Sequence, residues 1–84
     1  MTTSVMRLQG GHVRVGTKQT TKTVELDEAV HVFVAQDADP RMVNRIVQLC
    51  IQHDVKLTLV DTMRNLGKAC GIGVGTAMAA VVEE

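Results

Sequence analysis

The thirty residues HVFVAQDADPRMVNRIVQLCIQHDVKLTLV, numbered 31–60, decide the fold. His31-Val32-Phe33-Val34-Ala35 is a nearly continuous apolar run of strand length, the pattern of a strand buried on both faces. Asp39-Pro40 then reads as a helix start, a side-chain oxygen at the cap followed by proline at the first helical position. From Pro40 to about His53, Met42, Val43, Ile46, Leu49, Cys50 and Ile51 form an apolar stripe. Arg41, Asn44, Arg45, Gln48 and Gln52 occupy the other side. Lys56-Leu57-Thr58-Leu59-Val60 alternates as a second strand, so the stretch is a β-α-β unit.

The flanks repeat that alternation. His12-Val13-Arg14-Val15 reads as a short strand ended by Gly16, and Thr17 is placed to cap a helix running to about Glu25–Asp27. Asp61 or Thr62 can cap a short helix through about Cys70. Gly71, Gly73 and Gly75 form a loop that presents Ile72 and Val74 on a flexible connection, and Thr76 to Val82 closes as a small-residue apolar strand. The order β-α-β-α-β-α-β with short connections implies helices on a mostly parallel or mixed sheet. The 84 residues accommodate one domain, and no repeat or linker divides them.

Composition narrows the function. Phe33 is the sole aromatic, with no Trp or Tyr, so no aromatic platform exists for stacking single-stranded bases. No apolar run approaches the ~18 residues of a membrane span, and the N-terminus lacks a signal-peptide core. Cys50 and Cys70 form no C-x-x-C and read as small core residues, which suits a reducing, cytoplasmic compartment. His12, His31 and His53 have no metal-ligand spacing, and Asp37-Ala38-Asp39-Pro40 reads as a turn and cap before it reads as an acid–base pair. Neither catalytic machinery nor a cofactor is expected.

Nine Lys and Arg balance nine Asp and Glu, yet the charges are segregated. Residues 1–24 hold Arg7, Arg14, Lys18 and Lys22 and no acid; residues 25–40 hold Glu25, Asp27, Glu28, Asp37 and Asp39 and no base. Residues 62–82 are basic again through Arg64 and Lys68. A neutral total therefore conceals a basic face if the fold joins the two basic segments.

Gly16-Thr17-Lys18-Gln19-Thr20-Thr21-Lys22 makes a poor helix. Its threonines lower the propensity, and Lys18 and Lys22 are a like-charge i,i+4 pair near the positive end of the helix dipole. Two readings stand side by side: a weakly stabilised surface helix, or a docking site where an anion meets the backbone N–H groups and both lysines. In the second, Gln19 offers an amide to a base edge. The glycines at 71–75 do not make a phosphate loop, since a helix precedes them and a strand follows, the reverse of the required order.

Three stretches together, Gly-Thr-Lys-Gln-Thr-Thr-Lys (16–22), Ala-Gln-Asp-Ala-Asp-Pro (35–40) and Leu-Gly-Lys-Ala-Cys-Gly-Ile-Gly-Val (66–74), resemble the kink-turn RNA-binding ribosomal proteins. This family includes an archaeal large-subunit protein, its spliceosomal relative and small bacterial ribosome-associated homologues; the bacterial branch also carries Lys-Gln in the first motif. The resemblance covers about residues 12–82. It implies a three-layer α/β/α sandwich, a mixed four-stranded sheet with helices on both faces. It also implies a non-enzymatic monomer that binds kink-turns, RNA helices bent at a bulge beside sheared G·A pairs, in ribosomal or riboswitch RNA.

Carried over by residue, Gly16, Thr17, Lys18, Gln19 and Lys22 match the helix turn that enters the major groove at the G·A pairs. Asp39 matches an acidic residue that contacts the flipped-out bulge base and Val43 an apolar one that packs on it. Ile72, Gly73 and Val74 match the loop that covers the bulge from the other side. Archaeal and eukaryotic members have Asn-Glu in place of Lys18-Gln19 and a lysine in place of Met63, and the spliceosomal relative has an arginine at Val74. The alternative function is a protein-interaction subunit of the ribosome with incidental RNA contact; a small nucleotide-binding enzyme using the 71–75 glycines ranks below both.

Overall fold

The computed structural model describes residues 12–82; Arg7, counted above with the basic N-terminal segment, lies outside them. Seven elements follow in order: β1 Val13–Val15, α1 Thr17–Glu25, β2 Ala29–Ala35, α2 Pro40–His53, β3 Lys56–Val60, α3 Met63–Cys70 and β4 Met78–Val82. The strands form one mixed sheet ordered β1-β4-β2-β3, in which β4 is antiparallel to both neighbours and β2 pairs parallel with β3. No helix among the described residues is long and apolar enough to cross a membrane.

The apolar run in β2 divides between two cores because strand side chains alternate. Val32 and Val34 face α1 and α2, where Val24, Ile46, Cys50, Met78 and Ala80 complete a buried cluster. Phe33 and Ala35 face α3, where Leu66, Cys70 and Ala79 form the second. The result is the three-layer α/β/α sandwich. Full burial of side chains such as Ile46, Leu66 and Val32 contributes about 1.5–3 kcal/mol each. The small residues of β4, Ala79 and Ala80, are fully buried on opposite faces of the sheet, which lets helices approach closely from both sides.

α1 resolves its weak propensity through its threonines. Thr20 and Thr23 are buried beside Val24, so their methyl groups form the core face that the sequence lacks in large apolar residues. Thr23 Oγ1 donates to the Gln19 carbonyl at 2.6 Å, which satisfies the buried hydroxyl.

Several sequence expectations need correction. Thr17 is not the cap of α1: Gly16 is, and no side chain caps that helix. Ile51 does not join the apolar stripe of α2 but is 67% exposed, because it lies well round the helix from Ile46 and Cys50. The closing strand begins at Met78 rather than Thr76. β2 begins two residues early, at Ala29, with an irregularity between Ala29 and His31.

Candidate functional site

Since β1, β2 and β3 all run the same way, the turns that follow them lie at one end of the sheet. The N-termini of α1, α2 and α3 therefore share that end, and the chain returns to it before β4. None of the three helices has an acid in its first turn. Their exposed cations fall into three i,i+4 pairs, Lys18/Lys22, Arg41/Arg45 and Arg64/Lys68. The carboxylates at this end are engaged with backbone N–H groups: Asp37 accepts from Met63 at 2.8 Å, Asp39 from Arg41 at 2.9 Å and Asp61 from Thr62 at 2.9 Å. The two basic segments of the sequence thus begin at one end of the sheet but on opposite faces of it, α1 on one and α3 on the other, with Lys22 and Lys68 in the last turns of their helices.

The three helix starts differ in their caps. Asp39 caps α2, and Thr62 Oγ1 accepts from Asn65 N–H at 3.0 Å to cap α3. α1 has no side-chain acceptor. Gly16 takes φ 103 and ψ 157, a conformation essentially reserved to glycine, while its own N–H donates to the Met78 carbonyl at 3.0 Å. That bond pins the start of α1 to the sheet and turns the N–H groups of its first turn outward, where the helix dipole favours an anion. Lys18 and Gln19 are exposed beside them and Thr17 is half-buried; Lys22, also exposed, lies in the last turn of α1 rather than near its positive end as the sequence suggested.

The 71–75 loop is not a loose connection. It folds back along α3, because Gly67 has no side chain: a Cβ there would stand 1.8 Å from the Val74 carbonyl oxygen. Gly71 ends α3 at φ 73, and Ile72 N–H donates to the Gly67 carbonyl at 3.2 Å. At the far side of the loop, Thr76 N–H donates to the Met63 carbonyl at 3.1 Å. Between these anchors Ile72 is 39% and Val74 69% exposed. Two apolar side chains are thereby held out to solvent on a fixed frame.

Met63 joins the two loops of the site. Its N–H is held by Asp37 from the β2–α2 loop and its carbonyl by Thr76 after the glycine loop. Asp39, two residues beyond Asp37, is thus fixed relative to the 71–75 segment.

Gly73 and Val74 share a hollow with Arg64, Lys68, Gly71 and Gly75. Asp39 lies in a second hollow with Arg41, Met42 and Arg45. Val43 lines neither; it is half-buried against the α1–α2 core, one helical turn beyond Asp39, whose carbonyl accepts from its N–H at 3.0 Å. The sequence reading counted Lys68 in a basic segment without making it a site residue and left Arg41 and Arg45 as the polar side of α2; their signal was the absence of any carboxylate within α2 and α3.

The histidines and cysteines sit elsewhere. His31 stacks on Phe33 with ring centroids 4.3 Å apart and shares a 2.7 Å hydrogen bond with Thr58 Oγ1. Partial burial, then the charge of Lys56, lowers its pKa below the ordinary 6.5. Burial pushes the Cys50 and Cys70 thiols up, so neither is an activated nucleophile.

The chain is 43% identical over 75 residues to an RNA-binding protein of Geobacillus sp., covering 89% of this chain and 92% of that one. It is 41% identical over 75 residues to RNA-binding protein YbxF of Geobacillus stearothermophilus, with the same coverage. Large ribosomal subunit protein eL8 of Halobacterium salinarum is 41% identical over 73 residues, 86% of this chain and 61% of the relative. Among solved structures, a Giardia lamblia 15.5kD RNA binding protein superposes with a TM-score of 0.81 at 27% identity, covering 87% of this chain and 62% of that chain. The model of the ribosomal protein L7Ae/L30e/S12e/Gadd45 family matches residues 3–84, and this chain belongs to that family.

Proposed function

We propose that this protein is a non-enzymatic RNA-binding protein of the cytoplasm that recognises and stabilises kink-turns in ribosomal or riboswitch RNA. It acts as a monomer, with residues 1–84 forming one RNA-binding domain. The observation that carries the reading is the start of α1: of three helix N-termini at one end of the sheet, only this one lacks a side-chain cap, and Lys18 stands in its first turn with Lys22 one turn further along the helix. Its relatives' names as RNA-binding and ribosomal proteins support the same assignment.

Each residue has a chemical part in this reading. The first-turn N–H groups at Thr17 and beyond, which Gly16 turns outward, take a phosphate, and Lys18 and Lys22 neutralise its neighbours. Gln19 places an amide at the G·A edges, which a duplex hides in its narrow major groove and a kink exposes. An unstacked bulge base is apolar on both faces. Ile72 and Val74, on the turn made by Gly73, cover one face and Val43 meets the other, while the free lone pairs of Asp39 accept from its edge. Stabilisation follows from linkage, because a protein that prefers the kinked RNA shifts the bent–extended equilibrium by its differential affinity.

The test is a titration into a kink-turn duplex labelled at both ends, followed by energy transfer. The control duplex has its G·A pairs changed to Watson–Crick pairs. Bending of the first and not the second is expected. Tight binding to neither overturns the reading and favours the protein-interaction alternative.

A further inference from the structure

α2 carries a surface that the kink-turn reading does not use. Its fourteen residues, PRMVNRIVQLCIQH, include no carboxylate. Helical spacing places Arg41, Arg45, Gln48 and Gln52 on one stripe, opposite the buried Ile46 and Cys50, and all four are exposed. A surface helix gains stability by pairing such positions with acids, whereas Arg41 and Arg45 repel one another at i,i+4. Arg41, 91% exposed, reaches only Asp39 Oδ2 at 3.4 Å, and Arg45 has no ion-pair partner among the described residues.

The stripe is continuous with the candidate site, since Asp39, Arg41, Met42 and Arg45 line one depression. It extends from there for about 16 Å at ~1.5 Å per residue. Its chemistry is that of backbone recognition. Arginine forks match phosphate oxygens, and glutamine amides serve phosphate and 2′-hydroxyl groups alike. The stripe itself is polar throughout, and the one large exposed aliphatic side chain of α2, Ile51, lies to one side of it.

We propose that Arg41, Arg45, Gln48 and Gln52 hold the phosphate backbone of a second stretch of RNA, the duplex arm flanking the one engaged by α1 and the glycine loop. The inference rests on the RNA-binding reading above. It gives the protein two contacts of different kinds, one selective for the shape of the bend and one indifferent to sequence along the arm.

The experiment titrates the full chain, as wild type and as the R41Q/R45Q variant, into a kink-turn with arms trimmed to a few base pairs and into one with an arm extended by a helical turn. The long arm tightens binding of the wild type. Loss of two phosphate contacts in the variant weakens long-arm binding by roughly ten- to thirty-fold near physiological salt and flattens its salt slope by about two. Short-arm binding changes far less, because the variant touches the bend contacts only through the 3.4 Å pairing of Arg41 with Asp39.

Gln48→Glu is the second variant. It sets a carboxylate three residues from Arg45, which leaves the helix at least as stable, yet it also weakens long-arm binding. Equal losses on both RNAs, or no loss on either, overturn the proposal; the second result is also expected if the stripe takes an acidic protein. The two readings fail separately. If Lys22→Ala abolishes bending while R41Q/R45Q changes nothing, the kink reading stands and this one falls. If no RNA bends but R41Q/R45Q weakens binding to plain duplex, the stripe stands alone.

Discussion

The two ends of the sheet solve the same problem with different residues. At the end where α1 and α2 finish, the chain turns through left-handed conformations at Asp27 (φ 59) and Asp54 (φ 57). Aspartate visits that region at modest cost, and it leaves a negative charge behind. With Glu25 and Glu28 these residues make an acidic end, tied together where His53 meets Asp27 at 2.6 Å. At the opposite end the positive-φ position before α1 is Gly16, which leaves no side chain at all. One end is closed by its own side chains and the other keeps backbone donors open, so the difference marks where a ligand is expected.

The variant with the largest expected effect strikes the frame of the open end. Gly67→Ala drives a Cβ into the Val74 carbonyl, a backbone contact that no rotamer relieves. Overpacking of this kind costs about 1–3 kcal/mol in urea denaturation and displaces Ile72 and Val74, so RNA affinity falls as well. An unchanged midpoint would mean that the loop does not lie on α3 as described.

Next in size is Gln19→Ala, which is expected to lose ~1–3 kcal/mol on RNA with G·A pairs and much less on the Watson–Crick control. Equal losses on both would remove Gln19 from base reading. Lys22→Ala is expected to weaken binding to every kink-turn and to flatten the salt slope by about one. Glu28→Ala at the acidic end is the matched control, and its slope stays at the wild-type value. A shared change would dissolve the contrast between the ends.

The smallest effect is a pH dependence seated in the first half of β2. The pKa of His31 is lowered in the fold, so between that value and 6.5 the unfolded chain binds more protons than the native one. Stability contributed by neutral His31 is therefore present above pH 6.5 and declines as pH falls below it. Thermal melts of wild type and His31→Gln at pH 7.5 and 5.5 are expected to differ in that slope. Parallel curves would remove His31 as its source.

Much of this architecture was legible because it rests on local chemistry. The apolar run 31–35, the Asp39-Pro40 start and the alternation at 56–60 each report an element and its burial within a few residues. What stayed hidden depends on backbone geometry or on distant contacts. Thr17 looks like a cap by type, yet the cap is the residue before it, whose φ of 103 leaves no mark but its being glycine. Gly67 and Val74 are seven residues apart, and nothing local announces that one passes beneath the other. Lys18 and Lys22 stood out because an ill-favoured helix made them conspicuous. Arg41 and Arg45 did not, because a strongly amphipathic helix accounts for polar residues on its outer side.

Met63 shows how little of a junction need be written in its side chain. Both of its bonds, to Asp37 and from Thr76, are made by main-chain atoms, so nineteen of the twenty residue types carry the N–H and carbonyl they need. Proline alone lacks the donor. The position thus tolerates a change of side-chain chemistry while the geometry it enforces stays constant. Its side chain is open to solvent, yet two loops are fastened through the main chain beneath it.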